Sequence, residues 1–281
     1  MIDPEIALYY SRGTEQERLR DPRRSIEFHR TADILLRHLP PAPASVLDVG
    51  GGAGIYALTL AAAGYDVTLV DPVPLHVQQA RAASRAADRP LTDIEAGDAR
   101  ALDWPDRFFG AVLMLGPLYH LVEAADRHQA WNEARRVLRP GGVVVAAGVC
   151  RYYTTWEMLS KNKLGAAGAE EAVQSHLATG QHRNPRRDFE KFFTTAYFHA
   201  PQELAAEAAG AGLDVQALLA VEGPAKLLPD LAERMQDDAA RAQIMRALRR
   251  LEAEPSVLGA SEHVLVIASN TKEGRADDRE G

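Results

Sequence analysis

The sequence predicts an α/β fold: a mostly parallel sheet with helices on both faces. Three observations carry this. Short apolar, β-branched runs alternate with segments of helical periodicity from residue 45 onward. The first run, VLDV at 46–49, ends in three consecutive glycines, the mark of a strand turning sharply into a helix. The last run, EHVLVIAS at 262–269, alternates as a strand pairing at the end of a sheet does.

In chain order, residues 1–44 form a helical arm, or lid, with helices expected from Pro4 to Leu19 and from Ser25 to Leu39. Pro40, Pro41 and Pro43 end the second, because proline lacks the N–H that would continue it. There follow a strand at 45–50, a helix from Gly54 to Ala63, a strand at 66–70, a helix at 74–86 and a short strand at 92–96. A strand at 109–115, a helix at 126–137 and a strand at 142–149 complete the regular part, and right-handed crossovers make these strands parallel. Residues 151–200, rich in aromatics and histidines, read as an insertion over the sheet's carboxyl edge. A helix at 201–210 and a strand at 213–220 resume the pattern, a helical insertion at 224–254 interrupts it, and the strand at 262–269 is the seventh. One α/β domain thus spans 45–270, and the polar tail 271–281 is expected to be disordered.

A chain of 281 residues, 46% hydrophobic and 25% charged, suits such a domain with insertions. The formal net charge of −7 argues against broad nucleic-acid binding, although Arg183, Arg186 and Arg187 make a local basic strip. Cys150 is the only cysteine, which excludes an intramolecular disulfide and a cysteine-rich zinc site. With no apolar run of transmembrane length and no signal-peptide pattern at MIDPEIALYY, a cytoplasmic protein is expected.

The glycines Gly50, Gly51, Gly52 and Gly54 allow a ligand close to the backbone. They do not complete a dinucleotide fingerprint, since the sixth position from Gly50 is Ile55, and no Gly-Lys-Ser or Gly-Lys-Thr follows as in a P-loop. Asp71 closes the second strand about twenty residues on, where a carboxylate can accept the hydroxyls of a ribose. Asp98 and Ala99, in EAGDA past the third strand, can accept from an adenine amino group and donate to its ring.

The set VLDVGGGAG, TLVD, AGDA, FGAVLMLGPLYHL and LRPGGVVV, in this order and at these spacings, resembles the class I S-adenosylmethionine-dependent methyltransferases. The resemblance is strong over residues 45–150, and the strands near 213 and 262 fit the usual ending of that fold. It implies a Rossmann-like sheet and S-adenosyl-L-methionine as cofactor. By the same resemblance Asp48 supports the methionine end, Gly50 and Gly52 admit the cofactor, Asp71 binds ribose, and Asp98 and Ala99 bind adenine. Leu115 or Gly116 would contact the methionine amino group through the backbone. Further stretches, YYSRGTEQERL, TGQHRNP, FFTTAYFHAPQEL, VEGP and EPSVLGASEH, resemble a branch of bacterial small-molecule methyltransferases.

Methyl transfer needs alignment of the acceptor and exclusion of water, with a base where the acceptor carries a proton. His120, in GPLYHL after the fourth strand, is the candidate base, with Tyr119 beside it and Tyr9 and Tyr10 on the arm as lid residues. Tyr10 is counted with the catalytic candidates and Tyr9 with the substrate contacts. The insertion adds Arg151, Tyr152, His182, Tyr197 and His199 as substrate-binding candidates, and no metal is expected, since no close pair of histidines is present. The expected function is methylation of nitrogen, oxygen or carbon in a small molecule of specialised metabolism, such as indole C3. An RNA or protein methyltransferase and a noncatalytic module that keeps the cofactor fold are the alternatives. Expected partners are the substrate and, as an option, a second copy of the chain, with no membrane and no nucleic acid.

Overall fold

The computed structural model describes residues 3–13, 18, 21–22, 24–184 and 193–271. The arm holds α1 (Pro4–Tyr10), capped by Asp3, whose carboxylate accepts from the Glu5 N–H at 2.7 Å, and α2 (Ser25–His38). Then come β1 (Ser45–Val49), α3 (Ile55–Ala62), β2 (Asp66–Asp71), α4 (Pro74–Ala86), β3 (Asp93–Ala96), β4 (Phe109–Met114), α5 (Ala124–Val137) and β5 (Leu138–Val149). The first insertion contains α6 (Tyr153–Ser160), α7 (Ala169–Thr179) and the two-residue strands β6 (Gln181–His182) and β7 (Ala196–Tyr197). α8 (Pro201–Gly210) and β8 (Asp214–Ala220) lead into the second, with α9 (Leu231–Gln236) and α10 (Asp238–Leu251), before α11 (Pro255–Leu258) and β9 (His263–Ser269).

Seven strands form one sheet in the order β3-β2-β1-β4-β5-β9-β8. β9 runs antiparallel to both its neighbours, and the other pairings are parallel. Chain order runs outward in one direction from β1 and in the other from β4, which opens a crevice at their carboxyl ends.

Alternation along each strand builds two cores. Leu47, Val112, Val144 and Val266 pack under Trp131 of α5 and Leu204 of α8. Their sequence neighbours Val46, Leu113, Val145 and Leu265 face Ile34 and Leu35 of α2, Leu60 of α3 and Val77 of α4.

Most elements fall within a residue or two of the sequence reading. α5 starts two residues early, and β5 starts at Leu138 instead of 142. Phe109 pairs with Leu138 but Ala111 with Val143, so the Arg139-Pro140-Gly141-Gly142 turn is absorbed as an irregularity in a pairing that begins sooner. α1 ends at Tyr10, well short of Leu19, and the chain after it turns at Gly13 with φ +72°. Residues 14–17, 19, Arg186, Arg187 and the tail beyond 271 lie outside the described residues.

The second insertion does not cover the crevice. Leu231, Met235, Ile244 and Leu248 pack instead on Ile26 of α2. Arg30 of α2, wholly buried, donates to the Val221 carbonyl at 3.0 Å, to Asp33 at 3.0 Å and to Glu252 at 2.5 Å. Truncating one member of such a buried ionic network strands the others without water. Arg30→Ala is therefore expected to lower stability by about 3–5 kcal/mol, read from the urea midpoint, whereas Arg234→Ala, an exposed pair with Asp230, should change it by less than about 1 kcal/mol.

Candidate functional site: a cavity at the carboxyl edge

A cavity of about 350 Å³ lies over the carboxyl ends of β1, β2 and β4, walled by Gly50, Gly52, Asp71, Asp98, Ala99, Gly116, Tyr119 and His120. Asp3, Ile6 and Tyr10 of the arm roof it, and Arg183 and Thr195 come from the first insertion. Two glycines make the walls possible. Gly52 takes φ +58°, which only glycine adopts without strain, and its N–H donates to Asp71 Oδ2 at 2.8 Å. At Gly116 a Cβ would lie 2.9 Å from the Gly50 carbonyl oxygen, too close for any side chain.

Asp48 lies beneath the glycine turn, 1% exposed, with Oδ2 lacking a hydrogen-bond partner. A Cβ on Gly51 would fall 2.7 Å from that oxygen. Burial, reinforced by the nearby charge of Asp71, pushes the Asp48 carboxyl up to about 7. Asp71 is held differently: Oδ1 accepts from the Val73 N–H at 2.8 Å and faces His76 Nδ1 at 3.1 Å, while Oδ2 takes Gly52. Asp98 is gripped by Arg100, whose Nη2 lies 2.6 Å from Oδ2, and these hydrogen bonds lower the carboxyl to about 2. Arg100 also pairs with Asp126 on the cavity rim, at 3.0 Å.

On the far wall, the short turn Leu118–His120 after β4 presents His120 to the arm. Tyr10 Oη lies 2.6 Å from His120 Nε2, and the two rings meet edge to face at 5.3 Å. Burial lowers the imidazole to about 4, so it is neutral at neutral pH in this closed arrangement. Tyr10 also packs edge-on against His76, at 5.0 Å.

Of the residues singled out from the sequence, the fold brings to this cavity Gly50, Gly52, Asp71, Asp98, Ala99, Gly116, Tyr119, His120 and Tyr10, with Asp48 just below. Leu115 packs with the core on the α3 face. The insertion residues go elsewhere. Arg151 pairs with Glu203 at 2.5 Å, Tyr197 lies under the Arg127 guanidinium at 3.7 Å, and His199 faces Glu207 at 3.4 Å, a buried network tying the insertion to α5 and α8. His182 bonds His176 at 2.8 Å and stacks on Phe198. Tyr152 is 40% exposed, and Tyr9 meets Phe193 at 5.4 Å outside the cavity lining. The sequence reading missed His76, Arg100 and Thr195 on the wall. His76 had a legible signal: Pro74 starts α4, so the histidine falls in its first turn and points back toward Asp71.

Elsewhere on the carboxyl edge, Glu27, Glu222 and His263 place ligand atoms within 4.8 Å of one another. Their charge is already answered by Arg18, 2.7 Å from Glu27, and by Lys226, which sits 3.9 Å from Glu222 and pairs with Glu262.

The strand order, the glycine turn and the acids ending β2 and following β3 define a Rossmann-like domain built around a nucleoside-sized crevice. Residues 46–142 match the family described as Methyltransferase domain. A ubiquinone biosynthesis O-methyltransferase of Methylobacterium nodulans is 31% identical over 179 residues, covering 64% of this chain and 63% of the relative. An uncharacterised methyltransferase of Mycobacterium tuberculosis is 38% identical over 104 residues, 37% of this chain and 39% of the relative. The matched segment is thus less than two thirds of the length of either relative. Among solved structures, a methyltransferase of Methanosarcina mazei aligns with TM-score 0.59 at 17% identity, over 85% of this chain and 98% of that one. One of Mesorhizobium loti aligns with TM-score 0.55 at 18% identity, over 84% and 96%. Residues 46–142 thus match a methyltransferase-domain family, and the fold of the described residues is the one these solved methyltransferases share.

Asp48 carries a measurable signature. Its raised pKa means the folded state keeps a proton that the unfolded chain has lost above about pH 4, so this residue's contribution to stability declines as pH rises toward 7. Asp48→Asn is expected to be more stable than the native protein at pH 8, with the gain shrinking at pH 5, as read by urea unfolding at the two pH values.

Proposed function

We propose that the protein transfers a methyl group from S-adenosylmethionine to a small-molecule acceptor held beneath α1, beside His120. The observation that carries this reading is the convergence on one roofed cavity of the glycine turn, Asp71, Asp98 and a neutral histidine.

The residues fit the cofactor. The unpartnered Oδ2 of Asp48 provides a buried acceptor beneath the glycine turn, suited to an ammonium group reached directly or through water. Asp71 and Asp98, on either side of the cavity, offer acceptors for ribose and adenine, and the backbone of Gly116 approaches where no side chain could stand. When bound, the cofactor supplies an electrophilic sulfonium methyl. What remains for the chain is to orient the acceptor in line, keep water out and take up a proton.

His120 is the group for that proton. Being neutral, it has a free lone pair, and Tyr10 releases or shares it when an acceptor enters. A value near 4 makes a weak base, so the closed arrangement stores the imidazole; movement of Tyr10 and readmission of polar contacts would bring it back toward its ordinary range. A cavity of about 350 Å³ is at the small end for ligand sites, and cofactor and acceptor together need α1 to shift.

The oxygen acceptor named for the Methylobacterium relative supports testing hydroxyl compounds first, with amines and the C3 carbon of indoles next. A roofed cavity supports a small molecule over a polymer. The test is calorimetric titration with S-adenosylmethionine and S-adenosylhomocysteine, then a screen of phenols, amines and indoles for S-adenosylhomocysteine release. Micromolar binding of either compound is expected, and binding of neither would reject the reading. With an acceptor in hand, His120→Ala should slow turnover at least about tenfold while leaving S-adenosylhomocysteine affinity within about twofold.

A further inference from the structure

Asp71 is the acid that the fold offers to a ribose, yet most of its capacity is already used. An ionised carboxylate has about four lone-pair sites. The Gly52 N–H, the Val73 N–H and the ring of His76 take three of them, at 2.8, 2.8 and 3.1 Å. A ribose brings two neighbouring hydroxyls, each with a hydrogen to donate. One of them needs another acceptor.

His76 meets that need. Asp71 can only accept, so the bond between them places the proton on Nδ1 and leaves Nε2 as a bare acceptor. The side chain is 3% exposed, lies on the cavity wall, and Nε2 has no hydrogen-bond partner. A buried acceptor without a donor is uncommon in a folded protein and calls for an explanation such as a ligand. The ring of Tyr10 packs edge to face against this histidine, centroids 5.0 Å apart, on the roof of the same cavity.

We propose that His76 accepts a hydrogen bond from one ribose hydroxyl of the cofactor, while Asp71 acts as the positioning residue that fixes the imidazole and takes the second hydroxyl on Oδ2. This inference rests on the methyltransferase reading above and adds a recognition residue that the acid at the end of β2 does not account for. It also explains why α4 begins with Pro74. The rigid first turn sets His76 against Asp71 before any ligand arrives.

The experiment is a calorimetric comparison of S-adenosylhomocysteine with its 2′-deoxy and 3′-deoxy forms, against the native protein and His76→Phe, with His76→Gln as a second variant should the first fail to fold by circular dichroism. In the native protein each missing hydroxyl is expected to weaken binding about five- to tenfold. In the variant the loss for one analogue should vanish while the loss for the other, held by Asp71, persists. A purely structural histidine would lower affinity for all three ligands by one common factor, and that result would overturn the assignment. So would a variant that binds and discriminates as the native protein does. Failure of the native protein to bind any of the three ligands would instead reject the methyltransferase reading itself, an outcome distinct from both.

Discussion

Asp71 ties together three pieces of chain that would otherwise be independent. Its Oδ2 holds the glycine turn through Gly52, its Oδ1 holds the start of α4 through Val73, and His76 closes the group from the first turn of that helix. The first two contacts satisfy backbone N–H groups, and the third meets a side-chain ring nitrogen. One carboxylate thus couples the glycine turn on the cavity wall to the residue that precedes α4.

Asp48 is the counterpart of that arrangement. Two carboxylates lie close together at the ends of β1 and β2, and a buried site rarely tolerates both as ions. Asp71 has donors on each oxygen, whereas Asp48 has an unpartnered oxygen and keeps its proton up to about pH 7. A cation entering above the glycine turn changes the balance, since it favours the ionised form of Asp48. Binding of such a ligand is thereby linked to release of a proton from beneath it.

The fold was legible because strand ends and helix starts are written in local chemistry: glycines after β1, prolines before β1 and at the head of α4, alternation in β9. The residues that wall the cavity at the ends of β1 and β2 were legible for the same reason, being fixed to strand ends whose position the topology dictates. The insertion was not. Arg151, Tyr197 and His199 have the composition of a binding surface, but their polar atoms are used to fasten the insertion to α5 and α8 through Glu203, Arg127 and Glu207. Glu207 lies only eight residues from His199, but Glu203 lies 52 from Arg151 and Arg127 lies 80 from Glu207, so the network as a whole is beyond the reach of a local pattern. His76 carries a local signal in its place after Pro74, but its contact with Asp71 and its unpartnered Nε2 appear only once the fold is in place.

The roof completes the design. α1 has only seven residues, too few to be stable alone, and Ile6 is its one buried side chain. Contacts that hold it, among the described residues, include Glu5 accepting from the Thr195 N–H at 2.8 Å, Tyr9 against Phe193, and Tyr10 against His76 and His120. Each such contact contributes on the order of 1 kcal/mol, a size that ligand binding can offset. The same tyrosine that packs edge to face against His76 also bonds Nε2 of His120. Displacing that one ring would free Nε2 of His120 and relieve the packing on His76 together, so the two roles proposed above would be set up by a single movement of α1.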